Sequence, residues 1–316
     1  MLATSTSHRA CMHNGENAVS PDGASMSSKP PLRRRRLART LQKLREQNTE
    51  LTVTDAARAA GFSQAKLSRI EGAHIAISGD DTDALCTVLG VPRELSDELV
   101  QLARQAKQRG WWQTYPDSIL GRSTDLLELE ADAVTEYSFT IDVVPGLLQT
   151  ASYARTILRA ALPREPDEQL QERLDLRMNR QKRIQTGELE LWAIIDEPAL
   201  RRAGFGEQVM AEQVERLAEL AGTQQVSVQV IPDGVVHSAL STPYSLFTLD
   251  DGYKCVACDN LTGGLYIDDE NEVQSYSDTW AKLAARALPF DESAERLSAI
   301  AEEHRRRTRE PGPRPL

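Results

Sequence analysis

Residues 53–72, Val-Thr-Asp-Ala-Ala-Arg-Ala-Ala-Gly-Phe-Ser-Gln-Ala-Lys-Leu-Ser-Arg-Ile-Glu-Gly, constrain the fold most, because their spacing suits two short helices meeting at a sharp turn. Ala57 is small where the helices would touch, Gly61 gives the turn its backbone freedom, and Leu67 and Ile70 give the second helix one apolar stripe. Ser63 stands at the N-cap position, so that helix begins at Gln64. With successive residues turning by about 100°, Leu67 and Ile70 point inward, Gln64, Ala65, Ser68 and Arg69 point outward, and Lys66 and Glu71 fall on the flanks. The outward set has the chemistry of a major-groove reader: Gln pairs with adenine, Arg with guanine, and Ala or Ser lies against a thymine methyl. The pattern therefore predicts a helix-turn-helix. Ala57, Gly61, Leu67 and Ile70 build it, and Gln64, Ala65, Lys66, Ser68 and Arg69 meet double-stranded DNA.

Charge agrees locally. The 316-residue chain carries a formal net charge of −10, yet the window from Lys29 to Ile75 holds eleven bases against four acids, a balance of +7 that leaves −17 for the remainder. Such asymmetry marks a nucleic-acid-binding end joined to an acidic body. The run Arg33-Arg34-Arg35-Arg36 reads either as a solvated lead-in or as a phosphate or minor-groove grip.

The stretch Leu37-Ala-Arg-Thr-Leu41-Gln-Lys-Leu44-Arg45-Glu, followed by the turn described above, resembles the XRE/Cro-type helix-turn-helix family from about Leu32 to Val91. That resemblance implies a bundle of about five helices with Arg45 paired to Glu71 inside it. Val53 departs from the family, which usually places a phosphate-anchoring Gln at the start of the second helix.

Residues 1–31 are poor in large apolar side chains and are expected to be disordered; 32–92 form the helix-turn-helix domain, 93–110 a helical connector, 111–303 a second domain, and 304–316 a basic disordered tail. The second domain reads as α+β. Helices are predicted at Ser123–Glu136, Thr150–Ala161, Asp167–Gln185, Gly206–Leu220, Asp269–Leu288 and Asp291–Arg306. Strands are predicted at Tyr137–Ile141, Leu189–Ile195, Val226–Ile231, Tyr244–Leu249, Tyr253–Asp259 and Gly264–Ile267, with a hairpin loop at Asp250-Asp251-Gly252. The fold class is thus a mainly α N-terminal helix-turn-helix bundle followed by an α+β C-terminal domain.

Six blocks in the second domain, Gly110-Trp-Trp-Gln, Val144-Pro-Gly-Leu-Leu-Gln-Thr-Ala-Ser-Tyr-Ala-Arg155, Arg177-Met-Asn-Arg-Gln181, Leu191-Trp-Ala-Ile-Ile-Asp-Glu-Pro-Ala-Leu-Arg201, Val228-Gln-Val-Ile-Pro232 with His237-Ser-Ala-Leu, and Leu261-Thr-Gly-Gly-Leu-Tyr-Ile267, resemble in content and order an actinomycete family of antitoxin-like regulators, the WhiJ-like type. The resemblance implies a transcription regulator whose acidic domain binds a small protein partner encoded nearby. Small-molecule sensing is the alternative.

Arg177, Arg180 and Gln181 share one helix face. They suit either a pocket or an internal polar network, and buried arginines are usually paired structurally, which favours the network. Asp196-Glu197 and Asp268-Asp269-Glu270 could be imagined as acid/base groups, but carboxylate runs are usually solvated faces or helix starts. No phosphate loop, serine elbow or His-Glu-x-x-His occurs, so no catalysis and no cofactor are expected. Cys255 and Cys258 have metal-type spacing, but in a strand residues three apart face opposite sides, so no metal is expected either. His237 could join such a site, but the family resemblance implies that it shapes a turn or cleft instead. Cysteine usage suits a reducing cytoplasm, and no segment suits a membrane span. One reading helix covers only a few base pairs, so a homodimer on paired half-sites is expected, acting as a repressor.

Overall fold

A computed structural model describes residues 30–48, 50–107, 110–121, 123–260 and 263–309. The N-terminal half is a five-helix bundle, α1 (Leu32–Asn48), α2 (Val53–Ala59), α3 (Gln64–Glu71), α4 (Gly79–Val88) and α5 (Arg93–Gln105). Leu37, Leu41, Ala57, Leu67, Ile70, Leu85, Leu99 and Leu102 are among the buried residues of its core. Two boundaries change. The stretch expected as a connector, 93–110, is largely α5, whose Leu99, Leu102 and Ala103 close the bundle core. An amphipathic helix with such a stripe buries it against the nearest apolar surface, here α4 and α1. The tail expected to fray from 304 is helical through Arg309, and the remainder of it lies outside the described residues, as does the N-terminal extension apart from Pro30 and Pro31.

The C-terminal half begins with a 3-10 turn at Trp111–Thr114, α6 (Asp117–Leu120) and α7 (Thr124–Asp132). It continues through β1 (Ala133–Thr140), α8 (Ala151–Ala161), α9 (Asp167–Arg180), α10 (Lys182–Gln185), β2 (Glu190–Asp196), α11 (Glu197–Leu200) and α12 (Glu207–Ala221). The chain then forms β3 (Val226–Ile231), β4 (Tyr244–Leu249), β5 (Lys254–Asn260), β6 (Gly263–Ile267), α13 (Glu270–Ala284) and α14 (Phe290–Arg309). The strands form one mixed sheet in the order β3-β2-β1-β4-β5-β6. β1, β2 and β3 run parallel, joined by the helical crossovers that parallel strands require, while β4, β5 and β6 are antiparallel neighbours. Helices α12 and α14 cover one face through Met210, Val214, Leu217, Leu297 and Ile300, and α13 covers the other through Val273, Trp280 and Leu283. The α+β expectation holds, with all six strands in place. The main shift is at residue 133, where the helix predicted to run to Glu136 gives way to β1.

The halves share α1. Leu32 is buried with the C-terminal core, whereas Leu37 and Leu41 belong to the bundle core. Between and beyond them, α1 turns a row of bases toward acids of the C-terminal half. Arg33 Nε donates to Asp132 at 2.6 Å, Arg35 pairs with Asp125 at 2.8 Å, and Lys43 pairs with Glu270 at 3.1 Å. Arg36 pairs with Asp251 and lies 3.9 Å over the Tyr253 ring, and Arg39 pairs with Asp268.

Candidate nucleic-acid interface

Hydroxyl side chains start three successive helices of the bundle: Thr52, Ser63 and Ser78 accept the amides of Asp55, Lys66 and Asp81. Each such cap is worth about 1 kcal/mol. Between α2 and α3 the turn closes with the Phe62 amide donating to the Ala57 carbonyl at 2.7 Å, and Gly61 adopts φ 76°, a conformation that side chains disfavour. Ala57 is fully buried at the crossing, and Leu67 and Ile70 anchor α3 in the core. The helix therefore has one possible outward face. On it Gln64, Ala65, Ser68 and Arg69 are exposed.

A second device fixes that face. Arg45 grips Glu71 at the end of α3 through Nε–Oε1 and Nη2–Oε2 contacts of 2.7 and 3.0 Å. Both side chains are nearly buried, at 10% and 9% exposure. Donating to the Glu71 carboxylate holds the Arg45 guanidinium even more firmly protonated than usual. Lys66, on the flank, is already engaged: its ammonium pairs with Asp81 at 2.9 Å and sits 4.1 Å over the Phe62 ring. Its hydrogen bond pulls the Asp81 carboxyl below the usual range. The side chains of Gln64, Ser68 and Arg69 have no partner among the described residues. Three members of the arginine run, Arg33, Arg35 and Arg36, are neither a free lead-in nor an open phosphate grip, since they lie against C-terminal carboxylates at 15–24% exposure, whereas the buried Nε of Arg34 has no partner among the described residues.

Comparison with known proteins finds a family match in each part of the chain. A helix-turn-helix domain family matches residues 36–99. A second family, described only as a domain of unknown function, DUF5753, matches residues 123–299, more than half of the chain. The chain belongs to the DUF5753 family. No curated protein matches. Among solved structures, that of TrmBL2, an archaeal chromatin protein reported to show a novel mode of DNA binding, aligns at 10% identity over 80% of this chain and 100% of its own, with a TM-score of 0.27, a likeness too weak to bear on fold or function.

In the DUF5753 domain the polar residues singled out from sequence divide. Arg180 forms a buried ion pair with Glu130, Nε–Oε2 2.8 Å, and the Gln181 amide donates to the carbonyls of Gly146 and Gln149 at 3.3 and 2.8 Å, so both belong to an internal network. Arg177 donates one hydrogen bond, to Gln149 Oε1 at 2.8 Å, and otherwise faces a cleft. Burial pushes Glu197 upward, but hydrogen bonds from Arg296 and Arg201 outweigh it and hold the carboxyl below its ordinary range. Asp268 accepts from Tyr253 Oη, Asp269 caps α13, and Glu270 meets Lys43. Cys255 and Cys258 pack in cores on opposite faces of the sheet. His237 lies 3.3 Å from Asp196 and edge-on to Phe139. Among the described residues no helix is long and apolar enough to cross a membrane.

Sequence reasoning missed Glu136, Ser138 and Thr140. They lie on the central strand β1, on the face shared with Ala193 and Phe247 of the larger core. A period-two alternation against Tyr137 and Phe139 was the available signal, and it is the usual mark of a solvent-facing side.

Proposed function

We propose that the protein is a sequence-specific, non-enzymatic DNA-binding transcription regulator, a repressor that acts by occluding its site as a homodimer. The observation that carries the reading is the contrast within α3. Its inward residues are fully committed to the core, while Gln64, Ala65, Ser68 and Arg69 are exposed on a rigid, capped helix of a matched helix-turn-helix domain. On this reading those four side chains meet base edges in the major groove, and Lys66 exchanges Asp81 for a phosphate. The acidic C-terminal half keeps the rest of the molecule off the duplex.

Control enters through the DUF5753 domain, which holds α1 by a row of ion pairs and so fixes where the reading helix is presented. A small protein partner, as the antitoxin-like resemblance implies, is one source of that control. Co-purification with tagged full-length protein from the native host checks it. Footprinting of the promoter of the protein's own gene tests the central claim. Protection of a discrete, two-fold related site is expected, and binding no stronger than to random competitor at moderate salt would overturn it.

A further inference from the structure

Beside β1 the DUF5753 domain contains a half-enclosed cleft of about 320 Å³, small for a ligand site but large enough for a molecule of amino-acid size. Its polar lining is unusual for the centre of a sheet. Glu136 is 5% exposed, and its Oε1 accepts from Ser245 at 2.8 Å, while its Oε2 is buried in the cleft wall without a partner among the described residues. The Ser138 and Ser245 hydroxyls lie 3.1 Å apart, and Thr140 Oγ1 is likewise buried and without a partner among the described residues. Opposite stands Arg177, with one hydrogen bond among the described residues for its five donors, and Asp142 and Asp259 add carboxylates to the lining beside Glu136 and the Arg180-paired Glu130. Burial drives Glu136 up to about 8, and burial together with the neighbouring Arg180 lowers Arg177 to about 10. Glu130 and Arg180 satisfy each other and do not explain the rest.

Buried polar atoms are costly without partners, and two unpartnered oxygens with an under-used guanidinium around one cleft call for a complementary guest. The guest must offer an anion or strong acceptor to Arg177 and donors to Glu136, Thr140 and Asp259. We propose that the cleft binds a small zwitterion carrying a carboxylate and a protonated amine, the carboxylate on Arg177 and the amine toward Glu136 and Asp259, and that occupancy is sensed through α7.

The path is short. Leu126 and Glu130 of α7 line the cleft, while Asp125, Glu128 and Asp132 of the same helix hold Arg35 and Arg33 of α1. One nine-residue helix thus has the cleft on one side and the grip on the DNA-binding half on the other. Any difference in α7 between the empty and filled cleft changes that grip, and a coupling of about fivefold in DNA affinity lies within the usual range. The coupling rests on the regulator reading; the binding site does not.

The test uses the full-length protein and the twenty free amino acids at millimolar concentration, each with its N-acetyl and carboxamide derivatives. We expect at least one free amino acid to raise the melting temperature by about 3 °C or more. Its N-acetyl form, which lacks the cation, and its amide, which lacks the anion, should do so much less. Arg177→Met and the milder Thr140→Val should lose the shift while still binding DNA without ligand. Absence of any amino-acid shift, or an equal shift in Arg177→Met and Thr140→Val, overturns the site. A shift with unchanged DNA affinity overturns the coupling and leaves the site. Failure of unliganded wild type to bind DNA specifically overturns the regulator reading instead.

Discussion

Two basic stretches of the N-terminal half end differently. The one richer in charge, Arg33 to Arg39, turns Arg33, Arg35, Arg36 and Arg39 onto carboxylates of the C-terminal half. The poorer one, Gln64 to Arg69, leaves Arg69 without a partner among the described residues. Local charge density is thus a poor guide to which cations are left for DNA. What decides is whether an acid of the same molecule lies within reach, and residues 111–316, with 35 acids against 21 bases, supply one to each arginine of that stretch except Arg34, whose buried Nε has no partner among the described residues. Between these extremes stands Arg45, buried and wholly internal.

The largest effect concerns Arg45. Removing one partner of a buried, bidentate pair costs about 3 kcal/mol or more, and here Arg45 would keep its partly exposed contact with Glu46 and its contact with the Leu51 carbonyl to offset part of that loss. Glu71→Ala is expected to lower the unfolding free energy of the bundle by that amount in denaturant titrations, and Glu71→Gln by less. A loss under 1 kcal/mol would show that the pair is dispensable for holding α3.

Next is the contrast itself. Arg69→Ala should cost about 1 to 3 kcal/mol of discrimination at the specific site and leave random-sequence binding nearly unchanged. Arg35→Ala should leave the salt dependence of DNA binding as it is, because its guanidinium meets Asp125 rather than a phosphate. If gel-shift titrations show Arg35→Ala shallowing the salt slope by a full charge, the comparison fails.

The same contrast explains what could be read from the sequence. Ala57, Gly61, Leu67 and Ile70 were legible because local spacing alone dictates their roles, and the α3 face followed from them. The strands were legible where β-branched and aromatic residues cluster between turns, with Val226–Ile231 and Tyr244–Leu249 matching to the residue. Failures occur where distant partners decide. The run Leu126-Leu-Glu-Leu-Glu-Ala-Asp-Ala133 favours helix throughout, yet pairing with β2 and β4 takes residues from Ala133 onward into the sheet. The arginine run was ambiguous because Asp125, Asp132 and Asp251 lie 90 or more positions away. Glu136, Ser138 and Thr140 look like a wetted strand face until the helices above them are placed.

A smaller effect tests the grip between the halves. Asp125→Asn with Asp132→Asn removes the partners of Arg35 and Arg33, and half-buried pairs of this kind contribute about 1 kcal/mol together. Thermal unfolding of the wild type should weaken between low and high salt, and that of the double variant should change less. Equal salt sensitivity would place the cohesion of the halves in Leu32 and its apolar contacts instead.

The smallest effect concerns Lys66, which belongs to neither class. Its side chain is 37% exposed and its ammonium is held by Asp81 and by the Phe62 ring, so DNA must compete with Asp81 for it. Asp81→Asn keeps the Ser78 cap, because the capping contact uses the Asp81 amide, and removes the charge that competes. DNA affinity should rise about two- to threefold regardless of sequence, while Lys66→Ala should lower it uniformly. The acid limb of the stability profile gives an independent check. Asp81 titrates below its ordinary range in the folded protein because of the Lys66 hydrogen bond, so its contribution is present above pH of about 4 and fades as pH falls through the lowered value. In Asp81→Asn that portion of acid sensitivity should be missing, by a small amount since both side chains are about a third exposed. Unchanged DNA affinity in Asp81→Asn would mean that Lys66 serves the fold alone, and the interface would then rest on Gln64, Ala65, Ser68 and Arg69.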